Sequence, residues 1–222
     1  MSLVDSSFTS PLFSLPIPQC AGKLSDIAWS TSGTHLAAVT SAGWVFLWDI
    51  RTGEVCQQKQ VTRTPLLSIT WAREGTCLAV GGQDGMVRLL DERLRVGSTY
   101  PFEAPVRRIA WAPHVVGACA IVTGRHVTLL REDTRTTRVL HYSCAVLDVA
   151  WSGDGRQIAI LGADGLVEIW HARKHYLAHR FATEPMEEGS LLWDQPCHTL
   201  VARNALGAVH TYALRETSVS LP

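Results

Sequence analysis

Lysine is scarce in this 222-residue chain: three of its twenty basic residues are lysine (Lys23, Lys59 and Lys174) and the rest are arginine. Twenty acidic residues balance them. No net charge therefore steers the chain toward nucleic acid or anionic lipid. Long apolar runs are missing too. The longest, Val115 to Val122, is eight residues, far short of the ~20 needed to cross a bilayer as a helix. The first twenty residues lack the basic cluster and sustained apolar run of a secretory signal. The six cysteines stand singly, with no Cys-x-x-Cys pair, a pattern that predicts reduced thiols in a cytoplasmic or nuclear protein. Charged residues are only 18% of the chain, but 46% hydrophobic content supplies a core and excludes disorder.

Catalytic signatures are equally thin. There is no Gly-x-Ser-x-Gly elbow to strain a nucleophilic serine beside an oxyanion hole. There is no Gly-x-x-x-x-Gly-Lys-Ser/Thr loop either, and Gly81-Gly82-Gln83-Asp84-Gly85 reads as a β-turn because no helix follows it. His171, His175 and His179 are spaced i, i+4, i+8, which on a helix would converge on a metal. On a β-hairpin they spread over ~25 Å of chain path, so no metal site and no cofactor is expected. The carboxylates nearest apolar runs, Asp49, Asp148 and Glu168, show no pairing suited to acid–base chemistry and are expected to hydrogen-bond within their own sheets.

What the chain does have is tryptophan on a ruler. Trp29, Trp71, Trp111, Trp151 and Trp193 recur at intervals of 42, 40, 40 and 42 residues, the signature of a repeat architecture. Before most of them apolar and polar residues alternate, as in a half-buried strand (LSDIAW, LLSITW, VRRIAW, VLDVAW). After a turn comes a short apolar run: HLAAV, TCLAV, ACAIV, QIAIL and HTLVA. These are too short for helices and apolar on both faces, as a buried inner strand should be. A second turn, Asp84-Gly85 and Asp164-Gly165 in its clearest forms, leads to a third run (WVFLWDI, MVRLL, HVTLL, LVEIW, AVHTY) and then a weaker fourth. Four strands per ~40 residues make an all-β repeat.

With Trp48-Asp49 closing the third strand of unit one, Trp170 at the same place in unit four, and the Asp-Gly turns at Asp84 and Asp164, the sequence resembles the WD-repeat β-propeller family. The resemblance implies about five four-stranded blades in units near 23–63, 64–103, 104–143, 144–183 and 184–222, preceded by an N-terminal segment, 1–22, that could act as a clasp strand. No unit carries the family's Gly-His dipeptide, and only the first keeps a literal Trp-Asp. WD-type rings usually hold about seven blades. Five units leave three readings open: an open propeller filled by a partner, a closed five-bladed ring, or part of a longer array.

The resemblance implies a non-enzymatic interaction scaffold within a multi-protein assembly, whose partners are other protein subunits, one of which could complete the propeller. Apolar positions of the first and last units, Ile27 and Trp29 together with Leu191, Leu192 and Trp193, are expected at that interface, within 7–30 and 185–222. The alternative is a phospho-, peptide- or RNA-reading face built from Arg93, Arg95, Arg107, Arg108, Arg125, Arg131, Arg135 and Arg138, since arginine binds carboxylate and phosphate with a planar fork. Nucleic acid is the less favoured partner, and membrane insertion is not expected. Trp29, Trp48, Asp49, Trp71, Asp84, Trp111, Trp151, Asp164, Trp170 and Trp193 are the expected structural positions.

Overall fold

Short alternating runs punctuated by glycine turns fold as antiparallel meanders. The computed structural model describes residues 2–4, 11–15, 17–72, 77–113, 117–131, 136–194 and 199–213. The chain divides into two compact units, Met1–Trp111 and Ala112–Pro222.

In the first unit, β1 (Ser2–Val4) and β2 (Pro11–Ser14) pair with each other as a two-stranded sheet, followed by one 3-10 turn at Gln19–Ala21. Blade 1 comprises β3 (Leu24–Trp29), β4 (His35–Thr40), β5 (Trp44–Asp49) and β6 (Val55–Gln60). Blade 2 comprises β7 (Leu66–Trp71), β8 (Cys77–Gly82), β9 (Met86–Asp91) and β10 (Val96–Pro101). The unit ends on β11 (Val106–Trp111).

The second unit opens with blade 3, here β12 (Ala118–Thr123), β13 (His126–Arg131) and β14 (Thr136–His141), paired in that order. Blade 4 is β15 (Val146–Trp151), β16 (Gln157–Gly162), β17 (Leu166–His171) and β18 (Leu177–Ala182). Blade 5 has three described strands, β19 (Gly189–Asp194), β20 (Thr199–Asn204) and β21 (Val209–Ala213). The outer strand expected at 217–221 lies outside the described residues.

Turn chemistry explains the punctuation. Gly85 and Gly165 sit at φ of 73° and 80°, where a side chain is strained, and a Cβ on either would approach a backbone carbonyl to 2.5 Å. The preceding aspartates close these turns: Asp84 and Asp164 each accept the N–H two residues on, from Met86 and Leu166, at 3.1 Å. At the far end of the third strand another acceptor caps the next hairpin. Asp49 takes the N–H groups of Arg51 and Thr52, Asp91 those of Arg93 and Arg95, and His171, through Nδ1, those of Arg173 and Lys174. The second strands are the buried ones, while β6 and β10 at the outer edge are exposed throughout.

Within each unit, neighbouring repeats are joined through their first strands. A bulge near the start of β3, β7 and β15 leads into a polar residue that reaches the next blade. Asp26 accepts the Ile69 N–H at 3.0 Å and Ser68 the Ile109 N–H at 3.1 Å in the first unit. Asp148 accepts the Leu191 N–H at 2.8 Å in the second. Two residues on, a tryptophan completes the link: the indole N–H of Trp71 donates to the Ala28 carbonyl, and that of Trp193 to the Ala150 carbonyl.

Candidate interaction faces

Each blade has a leading face, turned to the blade before it, and a trailing face. The leading face of blade 2 shows what a covered face looks like. Leu66, Ile69 and Trp71 pack into one core with Ala37, Val39, Val45 and Leu47 from blade 1, and are 0%, 3% and 8% exposed. Leu24, Ile27 and Trp29 hold the same three positions in blade 1, yet they are 42%, 39% and 47% exposed. Trp29 therefore differs from Trp71, because among the described residues no sheet packs over it as blade 1 packs over Trp71. The rest of that leading face is covered by the N-terminal segment. Leu15 and Ala21 are buried against Leu36, Ala38, Phe46 and Trp48, with Ile17, Trp44 and Ile50 at the margin. Trp44, Phe46 and Trp48 stack in a row, with centroids 6.0 and 5.5 Å apart. Three apolar residues of β3 are left bare beside this cover.

Blade 5 splits its two leucines by strand alternation. Leu191 is buried on the leading face in a core with Ala159, Leu161, Val167 and Ile169 of blade 4. Leu192 points the other way and is 65% exposed, and Val209, on β21, is exposed as well. Of the two leucines expected at an interface, Leu192 is on an open surface and Leu191 is a core residue. Of the other ruler residues, Trp111, Trp151 and Trp193 are half-buried.

The arginines divide four to each unit. In the first, Arg95 pairs with Asp91 at 2.7 Å and Arg108 lies 3.5 Å from Asp26, while Arg93 and Arg107 are exposed. In the second, Arg125 and Arg138 are exposed, while the Arg131 side chain and Arg135 lie outside the described residues. Burial raises the Asp26 carboxyl above its ordinary value despite the Ile69 N–H and Arg108. Asp84 goes the other way: burial pushes it up, but Arg88 and the Met86 N–H outweigh that and hold it low.

The histidine trio lies along one hairpin of blade 4. His171 caps the turn and packs on Tyr176, His175 sits in the turn at φ 57°, and His179 on β18 stacks on Phe181. Among the described residues no group of three or more His, Cys, Asp or Glu is placed to hold a metal ion. No described cysteine is in a disulfide, and Cys197 lies outside the described residues. Among the described residues no helix is long and apolar enough to cross a membrane.

Glu168 is the centre of a polar network that the sequence signals only by placing a glutamate where blade 2 has Arg88. Its Oε1 accepts from Arg180 Nε and Nη2 at 2.9 and 2.5 Å. Its Oε2 accepts from the Tyr142 hydroxyl at 3.1 Å and the Trp170 indole at 3.0 Å. Burial first, and the Glu168 charge second, drive the Tyr142 hydroxyl well above its ordinary value. Trp48, at the repeat position of Trp170, has no partner among the described residues for its buried indole N–H.

Comparison with known proteins agrees with this architecture. The family model for the WD domain, G-beta repeat, matches residues 56–91 and 134–171, and that for the anaphase-promoting complex subunit 4 WD40 domain matches 10–73. The β-propeller domain of Myceliophteria thermophila Cps50 (Swd1) superposes with a TM-score of 0.75 at 17% identity, over 90% of this chain and 69% of that one. The chain belongs to the WD-repeat β-propeller family. Among curated WD-repeat relatives, anaphase-promoting complex subunit cdh1 of Dictyostelium discoideum is 28% identical over 154 residues, 65% of this chain and 20% of that protein. WD repeat-containing protein slp1 of Schizosaccharomyces pombe is 27% identical over 146 residues, 64% of this chain and 30% of that protein. The chain thus spans less than a third of the length of either relative. In WD-repeat terms, Asp49, Asp91 and His171 are three residues in the post-tryptophan slot that all cap the same hairpin.

Proposed function

We propose that this chain is a non-catalytic WD-repeat scaffold of the cytoplasm or nucleus, which joins other protein subunits in a larger assembly. The bare strip of β3 on the leading face of blade 1 carries this reading. Leu24, Ile27 and Trp29 are open where their repeat-mates Leu66, Ile69 and Trp71 are buried. Water penalises such a surface, and contiguous apolar exposure marks interaction sites. The internal repeats specify the chemistry of a partner on this face. It is a sheet edge offering a backbone carbonyl to the Trp29 indole, as Ala28 does for Trp71, beside apolar side chains. The printed name of one relative, a subunit of the anaphase-promoting complex, supports membership of a multi-subunit assembly. One partner completing the propeller, with 23–222 acting as a single repeat array, is the fuller form of the same proposal.

The test is copurification of the tagged chain from its own cells, with the wild type compared with Trp29→Asp and Leu192→Asp. A stoichiometric protein partner lost in either variant, with unchanged thermal unfolding, supports the scaffold. A purified chain that is monomeric, binds no hydrophobic dye and keeps the same partners in both variants overturns it.

A further inference from the structure

Blades 2 and 4 share an Asp-Gly turn but differ four residues later. In blade 2, Arg88 grips Asp84 with two hydrogen bonds, Nη1 to Oδ1 at 3.2 Å and Nη2 to Oδ2 at 2.6 Å. Blade 4 has Glu168 at the Arg88 position, and a glutamate cannot neutralise Asp164. Glu168 is buried instead and accepts four N–H and O–H donors, which fills its lone-pair sites. Asp164 is exposed, and among the described residues it accepts only the Leu166 N–H.

Asp164 opens on a groove of about 420 Å³ between β14 with its following loop and the outer half of blade 4. That volume is within the ~300–1,000 Å³ of ordinary ligand sites. Tyr142, His141 and Trp170 supply aromatic wall, and Arg180 lies against Glu168. The charges of Arg180 and Glu168 cancel, which leaves Asp164 as the uncompensated carboxylate of the groove.

We infer that this groove binds an arginine side chain carried on an extended segment of a protein partner, its guanidinium taking on Asp164 the place that Arg88 takes on Asp84. Arginine fits better than lysine because a planar fork matches the carboxylate and lies flat on aromatic rings, as a compact ammonium does not. The site uses none of the bare apolar residues of blades 1 and 5, so it stands or falls separately from the scaffold reading.

The experiment titrates the peptide acetyl-Gly-Gly-Arg-Gly-Gly-amide into the isotope-labelled full chain and follows the Trp170 indole N–H, assigned with Trp170→Phe. The same peptide with citrulline in place of arginine keeps the shape and removes the charge. The arginine peptide should move the Trp170 signal saturably, and the citrulline peptide should bind at least about tenfold more weakly. Asp164→Asn keeps the turn acceptor for Leu166 and should cost a similar factor, while Asp84→Asn should leave binding unchanged. Equal binding of the two peptides, indifference to Asp164→Asn, or no movement of the Trp170 signal at millimolar peptide each overturns the proposal.

Discussion

Blades 1 and 2 place the same three residue types on the same strand, and only one of the two sets is buried. Trp71 has the edge of blade 1 against it and gives its indole proton to Ala28. Trp29 has no such neighbour among the described residues and is half open to water. The contrast teaches that a repeat's tryptophan is a joint rather than a private core. Its burial belongs to the pair of blades, because one sheet face cannot remove itself from water.

The largest expected effect breaks this symmetry directly. Trp71→Ala removes a buried indole and an inter-blade hydrogen bond and should cost ~3–5 kcal/mol. Trp29→Ala in the isolated chain should cost less than ~1 kcal/mol. Urea denaturation of the two variants side by side measures the difference, and equal losses would mean that blade 1 has a covering neighbour in solution.

A smaller contrast lies in blade 5, where two adjacent leucines are separated by strand alternation alone. Leu191→Ala should destabilise by ~2–4 kcal/mol, and Leu192→Ala should stay within ~0.5 kcal/mol of the wild type. Reversed magnitudes in thermal or urea melts would place β19 one residue out of register.

The smallest effect tests the turn of blade 2 against that of blade 4. Arg88 holds the Asp84 carboxyl below its ordinary value of 3.8, so the contribution is fully present above that pH and is lost as pH falls through the folded-state value. Arg88→Leu should therefore cost up to ~1 kcal/mol near neutral pH, and the deficit should shrink as the pH is taken down through the lowered folded-state value of Asp84. Urea melts of wild type and variant at both ends of that range measure it. A deficit independent of pH would assign the loss to the arginine's packing and not to its charge.

The fold was legible because its signals are local and repeated. A tryptophan every 40 residues, Asp-Gly turns that only a glycine can close, and alternation of apolar side chains place each strand without reference to distant residues. His171 shows how far this reaches: it stands at the repeat position of Asp49, the last residue of the third strand, and it caps the hairpin as Asp49 does. The Glu168 network was less legible, since Tyr142, Trp170 and Arg180 are separated along the chain and sheet pairing alone brings them to one carboxylate. The open set, Leu24, Ile27 and Trp29, was only partly legible, because those residues look like any other strand of the repeat. By itself the sequence determined the strands, their turns and the repeat that makes this a WD-type chain. The tertiary structure alone decided which faces are covered, which aspartate keeps an arginine and which stays open, because burial and charge pairing depend on what lies opposite a residue and not on what precedes it.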